Sequence, residues 1–241
     1  MDKKKIGVGA GIAFLAVVLI LGFLGFVPVL SDLLGANRGL NLGISYTKTD
    51  YNSAVNKLGI TVTPLAQNLS PSDSIVASGS HRVDQTLTSA ELTALVNTMG
   101  DTWAYFPIKN TQIRINQNGS VEVQANLIMN RFDGFATALK LSDSVKQEFS
   151  SYSNLIKTNP SFYMKYTMSI TDGQTQSNIN VMKLGFIDVP APELAKIQTA
   201  FASFVQRVVE RTPRVINNLT FGDGTVHIVG STPDTISLSP P

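Results

Sequence analysis

The chain has 241 residues, with 19 lysines and arginines, 17 acidic residues and no cysteine. Three lysines and one aspartate lie within the first five residues, so residues 31–241 hold 16 basic and 16 acidic residues and are neutral. A neutral domain lacks the clustered cations that nucleic acids require, and a chain without cysteine has neither disulfides nor thiolate ligands for zinc. We therefore expect no nucleic-acid partner and a fold that is stabilised by its hydrophobic core.

The first 30 residues predict a membrane anchor. Three lysines at positions 3–5 precede Ile6–Leu30, a run of 25 residues without a charge. At about 1.5 Å per residue, a helix of this length reaches roughly 37 Å and can cross a hydrocarbon core of about 30 Å. The lysines favour a cytoplasmic N-terminus, so we expect a single-pass protein of the cell membrane with an extracytoplasmic domain. A cleaved signal peptide is the alternative, although its apolar region usually runs only about 7–15 residues.

Residues 31–45 are predicted to form a tether because glycines recur through them, and residues 46–241 are predicted to form the extracytoplasmic domain. The domain begins with a predicted helix that has Thr47 or Thr49 as its cap and Gly59 as its end. A loop rich in serine, asparagine and proline follows near residue 70.

A strand-to-helix junction is predicted next. Val83 and Leu87 alternate with polar residues, as in a half-buried strand. Thr88 and Glu91 have the spacing of a capping box, in which each side chain bonds to the other residue's backbone N–H. Leu87 and Leu92 have the spacing of the accompanying hydrophobic staple. The predicted helix then has an apolar face of Leu92, Leu95, Val96 and Met99.

Three hairpins are predicted where alternating apolar residues flank Asn118-Gly119, Asp172-Gly173 and Asp223-Gly224. The polar residues between the apolar ones leave one side of the sheet in contact with water. The apolar residues of the first two hairpins are Ile113, Ile115, Val121, Val123, Ala125, Leu127 and Met129, and then Phe162, Met164, Tyr166, Met168, Ile170, Ile179 and Val181.

Two further helical regions separate these hairpins. Residues 132–156 are predicted to be helical in one or two pieces, with Ser142 as a possible second cap. Pro190 and Pro192 precede a strongly amphipathic helix that ends at Thr212-Pro213. Its apolar stripe is Leu194, Ile197, Phe201, Phe204, Val205 and Val208. The fold class is therefore α+β, a mostly antiparallel, curved sheet built from hairpins packed around amphipathic helices and preceded by one N-terminal transmembrane helix.

The sequence contains no pattern typical of a catalytic, metal or cofactor site. Its two histidines, His81 and His227, lie beside or within predicted strands, where a lone histidine is usually structural. No nucleophile elbow, zinc-binding His-Glu-x-x-His or phosphate-binding glycine loop occurs, and the closest glycine run, GVGAG at residues 7–11, lies inside the membrane segment. Acidic residues do not cluster closely enough to predict a calcium loop. We predict no cofactor, and an enzyme of unrecognised type is the third of three functional hypotheses.

Three stretches resemble a known family: LTSAELTALVN, IKNTQIRINQNGSVEVQANL, and the C-terminal IDVPAPELAKIQTAFASFVQRV with INNLTFGDGTVHIVGSTP. They resemble the YpmS-type membrane-anchored extracytoplasmic proteins and, more loosely, tubular lipid-binding domains. Members begin a helix with a Ser/Thr-x-x-Glu-Leu signal and close their last hairpin on Gly-x-x-Pro, which Gly230–Pro233 matches here. The resemblance implies a long curved sheet around helices, with an apolar groove that holds a lipid tail.

The leading hypothesis is a membrane-tethered module that shelters a lipid or another apolar ligand near the outer face of the membrane. The alternative is a structural or accessory protein of the cell envelope that binds other proteins, in which case the same apolar residues are simply core. The candidate groove residues are Leu92, Leu95, Ile113, Ile115, Val123, Leu127, Met164, Tyr166, Ile197, Phe201, Phe204 and Val208.

Overall fold

The computed structural model describes residues 39–141, 143, 146, 159–185, 187–209 and 215–241, so the predicted membrane anchor and Ser142 lie outside it. Within these ranges the chain forms four α-helices and eleven strands. The helices are α1 (Lys48–Leu58), α2 (Ser89–Thr102), α3 (Phe132–Ala138) and α4 (Ala191–Val209). The strands are β1 (Thr61–Pro64), β2 (Ile75–Ser78), β3 (His81–Thr88), β4 (Ile108–Ile115), β5 (Ser120–Leu127), β6 (Ser161–Thr171), β7 (Gln174–Leu184), β8 (Ile187–Asp188), β9 (Val215–Gly222), β10 (Thr225–Thr232) and β11 (Thr235–Leu238).

The strands form one large and one small sheet. The large sheet has eight strands in the order β3-β10-β9-β6-β5-β4, with β7 paired to β6 and β8 paired to β7, all antiparallel. The small sheet has the order β1-β11-β2, in which β1 runs parallel to β11. The predicted α+β class with mostly antiparallel strands is confirmed. The three predicted hairpins are also confirmed as β4-β5, β6-β7 and β9-β10, and each has its glycine at positive φ in the turn.

Both predicted caps are present in the described helices. Thr47 and Asp50 form a reciprocal capping box at the start of α1, which ends at Gly59 with φ 64°. Thr88 and Glu91 form the predicted box at the start of α2. Glu91 is only 4% exposed, because it also accepts a hydrogen bond from Ser53 of α1 and forms a 2.7 Å ion pair with Lys57. The capping box of α2 therefore also joins α1 to α2.

The exposed Thr88 hydroxyl allows the capping contribution to be measured. We expect Thr88→Ala to lower the free energy of unfolding by about 1 kcal/mol, because the Glu91 N–H loses its side-chain acceptor. Thr88→Ser keeps the hydroxyl and serves as the control in urea titrations followed by circular dichroism. Equal midpoints for the two variants would contradict a stabilising cap.

The buried side of α2 differs from the predicted apolar face. Leu92, Leu95, Val96 and Met99 are half-buried, whereas the buried residues of the helix include Glu91, Thr93, Ala94, Asn97 and Gly100. The polar side chains are buried because they bond to the backbone of the edge strand β4. The Ser89 hydroxyl accepts from the Ile115 N–H (2.9 Å), the Thr93 hydroxyl accepts from the Ile113 N–H (3.0 Å), and Asn97 Oδ1 accepts from the Thr111 N–H (2.9 Å). Ser89, Thr93 and Asn97 are spaced four residues apart on α2. Their side chains thus form the hydrogen bonds that a neighbouring strand would otherwise form with the edge of β4.

Apolar side chains form two clusters, and α2 contacts the first through Leu92 and Leu95 and the second through Val96 and Met99. The first contains the buried Leu87, Ile115, Ile170, Val205 and Val226, together with residues of α1 and β9. The second contains Trp103, Phe106, Ala138 and Leu238, so it joins the end of α2 to α3 and the small sheet. Trp103, the single tryptophan of the chain, donates from Nε1 to the buried Ser74 hydroxyl at 3.1 Å. Five of the twelve candidate groove residues belong to the first cluster or pack against it: Leu92, Leu95, Ile115, Phe201 and Phe204.

Candidate apolar ligand site

Strand register brings the candidate residues of the first two hairpins onto one face of the large sheet. Ile113 pairs with Val123, and Val123 pairs with Met164. Residues paired directly across strands project to the same side, so these three side chains lie in a row. Ile115, Val121 and Tyr166 form a parallel row on the same side. We call this side of β4–β7 the inner face.

Helix α4 lies on the inner face through its apolar stripe. The Phe201 ring meets the Tyr166 ring edge-on with centroids 5.4 Å apart, and Phe204 contacts Phe135 of α3 at 6.1 Å. Val205 is buried in the first cluster. Burial raises the pKa of the Tyr166 hydroxyl above its usual range, so this side chain stays neutral beneath the helix.

Two glutamines fix α4 to the edge of β7. Gln198 Oε1 accepts from the Ile179 N–H at 2.6 Å, and its Nε2 donates to the Ser177 carbonyl at 2.8 Å. Two turns later, Gln206 accepts from the Thr175 N–H at 3.3 Å and donates to the Gly173 carbonyl at 3.1 Å. The helix therefore covers backbone groups of β7 with side-chain amides, as α2 covers β4. Sequence reasoning missed this contact because glutamine on an amphipathic helix usually faces solvent.

The structure divides the candidate residues by burial. Ile113, Ile115 and Met164 are buried, with 9%, 4% and 8% of their surface exposed, and belong to the closed part of the core. The half-buried candidates retain accessible apolar surface: Leu92, Leu95, Val123, Leu127, Tyr166, Ile197, Phe201 and Phe204. Val208 lies in α4, but its side chain is outside the described part of the structure. The accessible part of the candidate set is therefore the half-buried group.

Several half-buried residues around the first cluster were absent from the sequence-based list. Leu92, Leu95, Phe201 and Phe204 pack against the cluster, and Met168, Ile216, Phe221 and Ile228 pack against it as well. The last three belong to the third hairpin, whose alternation was visible in the sequence. The position of the third hairpin beside β6 was not visible in the sequence, because the pairing of β9 with β6 involves only Ser169 and Ile170 of β6.

The two histidines are each bound by one carboxylate. His227 Nε2 lies 2.7 Å from Asp84, on the exposed side of β10. His81 Nδ1 lies 2.6 Å from Asp234, and its Nε2 lies 2.9 Å from the Leu58 carbonyl oxygen. Within the described ranges, no three histidine or acidic side chains gather as metal ligands. His81 instead links the end of α1 to the loop between β10 and β11.

The geometry of His81 predicts a pH-dependent stability. Both ring nitrogens face acceptors, so the doubly protonated ring satisfies both contacts. The hydrogen bond with Asp234, followed by the one with the Leu58 carbonyl, raises the pKa of His81 above its ordinary value of 6.5. A raised pKa in the folded state stabilises the fold below pH 6.5, and this stabilisation is lost as the pH rises through the folded-state pKa.

We therefore expect His81→Gln to lower the melting temperature most at mildly acidic pH, with the difference from the parent chain narrowing above neutrality. His227→Gln removes the other His–Asp hydrogen bond and is the matched comparison. If the His81→Gln variant retains the full pH dependence of the melting temperature, another titratable group causes that dependence.

The opposite, outer face of β4–β7 carries a bonded polar cluster and the beginning of the described chain. Glu122 accepts from Arg114 (2.8 Å), Asn116 (2.9 Å) and the Tyr163 hydroxyl (2.9 Å). Burial opposes ionisation of Glu122, but these hydrogen bonds outweigh it and lower the pKa of the carboxyl. Burial and the bond to Glu122 raise the pKa of Tyr163 to about 12. This part of the outer face is therefore occupied by a fixed anion and its donors.

The N-terminal segment crosses this cluster. The Leu42 N–H donates to Gln112 Oε1 at 2.7 Å, and the Leu42 carbonyl accepts from Arg114 at 3.3 Å. The Leu42 side chain is 4% exposed, and Gly39 lies against the Gln124 side chain so closely that a Cβ would overlap it. Residues 39–42 are thus seated on the outer face of β4 and β5.

No family model, curated protein or solved structure matches the chain. The resemblance to the YpmS-type family and to tubular lipid-binding domains therefore stays a prediction that rests on the sequence stretches alone.

Proposed function

We propose that the protein is a membrane-anchored extracytoplasmic binding protein that shelters a lipid or another apolar ligand between α4 and the inner face. The proposal includes a single N-terminal membrane helix, a cytoplasmic N-terminus and a sheet that curves around the helices. The proposed function includes no catalytic step.

The observation that supports ligand binding is the incomplete burial of large apolar side chains around a closed core. Phe201 and Phe204 pack against buried residues yet retain exposed surface, as do Leu92 and Leu95 across the cluster. Burial of apolar surface contributes roughly 25 cal/mol per Å2, so covering several such residues would favour binding of one acyl chain. The net affinity is smaller because ordering the ligand opposes association.

The support for membrane attachment comes from the sequence. The uncharged run Ile6–Leu30 follows three lysines and is long enough to span a bilayer. In the part of the chain that the structure describes, no helix is both long and apolar enough to cross a membrane. An anchor would place the domain beside a supply of lipid.

Photolabelling of the full chain in lipid nanodiscs tests the ligand site directly. A fatty acid with a photoreactive group at its apolar end should label peptides containing Tyr166 and Phe201, besides those of the anchor. Phe201→Asp should abolish labelling of these two peptides, because a carboxylate is strongly disfavoured in an apolar site. Tyr46→Ala, at a side chain that is 44% exposed, is the control and should leave labelling unchanged. Labelling confined to residues 6–30 would reject the lipid site and keep the anchor.

The alternative, an accessory envelope protein that binds other proteins, is favoured by the small sheet. Strand β2 pairs with β11 and has no second partner among the described strands, while its Val76 is 48% exposed. An open edge of this kind accepts an extended segment of another protein as an added strand. Co-purification of a partner that Val76→Pro disrupts, without fatty-acid labelling of α4, would favour this function.

A further inference from the structure

We infer that the outer face of β4–β7 lies against the lipid headgroups of the membrane that holds the anchor. This inference rests on the proposed membrane attachment and goes beyond it by assigning one face of the domain to the bilayer surface.

The first step is the position of the N-terminal segment. Gly39 is seated over Gln124 and Leu42 over Gln112, so the chain enters the described fold across the outer face. The predicted anchor ends at Leu30, which leaves eight residues before Gly39. Even a fully extended connection of this length spans only roughly 30 Å. The entry point on the outer face must therefore stay near the membrane.

The second step is the chemistry of the neighbouring surface. Strand pairing places Lys165 beside Glu122 and Val181, and places Lys183 beside Tyr163. Because Glu122 is already bound by Arg114 and two other donors, its charge is largely satisfied within the fold. Lys165 and Lys183 then bring positive charge to this face, although Lys183 also pairs with Asp188 at 2.9 Å. Lysines near a surface of anionic lipids are attracted to the phosphate groups.

The third step is the apolar surface next to these lysines. Leu40 is 55% exposed on the seated segment, and Val181 is 37% exposed on β7. Apolar side chains mixed with lysines suit the boundary between headgroups and acyl chains. The inner face, with α4 and the proposed ligand site, lies on the opposite side of the same strands.

The absence of cysteine from the chain makes the test site-specific. Thr167→Cys places a single thiol on the exposed outer side of β6, two residues from Lys165, and Thr199→Cys places one on the exposed side of α4. Each full-length variant is labelled with a fluorophore and reconstituted into phosphatidylglycerol vesicles that contain a headgroup-linked quencher. We expect several-fold stronger quenching at position 167 than at position 199. Equal quenching, or stronger quenching at 199, would overturn the assignment.

Two further measurements distinguish the contribution of the lysine charges from that of the membrane anchor. Lys165→Glu should weaken quenching at position 167, whereas Lys196→Glu on α4 is the matched charge reversal and should not. Extraction of the vesicles with alkaline carbonate tests attachment independently. A chain that is released by carbonate overturns both the anchor and this inference, whereas a retained chain without preferential quenching at 167 overturns the inference alone.

Discussion

Asn97→Ala is expected to destabilise the fold by about 3 kcal/mol, because it leaves two buried backbone groups without partners. Asn97 Oδ1 accepts from the Thr111 N–H at 2.9 Å, and its Nδ2 donates to the Thr111 carbonyl at 2.8 Å. Both residues are buried, with 6% and 2% of their surface exposed, so water does not replace the lost bonds. The measurement is the free energy of unfolding from urea titration.

Two companion variants distinguish hydrogen bonding from packing. Asn97→Leu restores most of the volume but neither hydrogen bond, so it should remain nearly as unstable as the alanine variant. Thr98→Ala lies one position further along α2, rotated by about 100°, and should change stability little. Recovery of stability in Asn97→Leu would show that a cavity, rather than the unpaired Thr111 backbone, causes the loss.

Gly230→Ala is expected to produce the second large loss, about 3 kcal/mol, because β9 leaves no space for a methyl group. A Cβ at this position would overlap the Val215 carbonyl oxygen and lie 2.9 Å from the Ile216 Cα. The pairing of β9 and β10 shifts register between Val229 and Gly230, so the glycine lies at an irregularity of the β9–β10 ladder. This glycine opens the Gly-x-x-Pro sequence at the end of the last hairpin.

Gly222→Ala provides the matched control in the same hairpin. A Cβ there would meet nothing within 4 Å, and its φ is not positive. Substitution of such a glycine reduces the entropy of the unfolded chain and should stabilise the fold by about 0.4–1 kcal/mol. The two alanine variants should therefore shift the urea midpoint in opposite directions, and a shift in the same direction would reject steric exclusion at Gly230.

The features that the sequence predicted well are local ones. The capping box of Thr88 and Glu91 depends on residues three apart, and each hairpin turn depends on a glycine that adopts positive φ. Because these interactions involve residues that are close together in the chain, they can be recognised from the sequence. The alternation of apolar residues also identified most of the strand residues that share the inner face. It was wrong for Val181, because a register shift between β6 and β7 places this residue beside Lys165 on the outer face.

The features that the sequence did not predict depend on contacts between distant residues. Asn97 and Gln198 look like solvent-facing polar residues until the neighbouring strand edges are known. The contact between the rings of Tyr166 and Phe201 likewise joins residues that are distant in sequence. Periodicity identifies a face, whereas only the packed helix decides which part of that face stays accessible.

The bonds from Gln198 and Gln206 to β7 link any motion of α4 to aggregation. An uncovered strand edge presents unpaired N–H and carbonyl groups that can pair with another chain. If α4 lifts from the inner face to admit a ligand, it also uncovers the β7 backbone between Gly173 and Ile179. Full displacement of the helix would then promote self-association between neighbouring copies of the chain. This coupling favours entry of a ligand by a small tilt of α4, with the glutamines still in place.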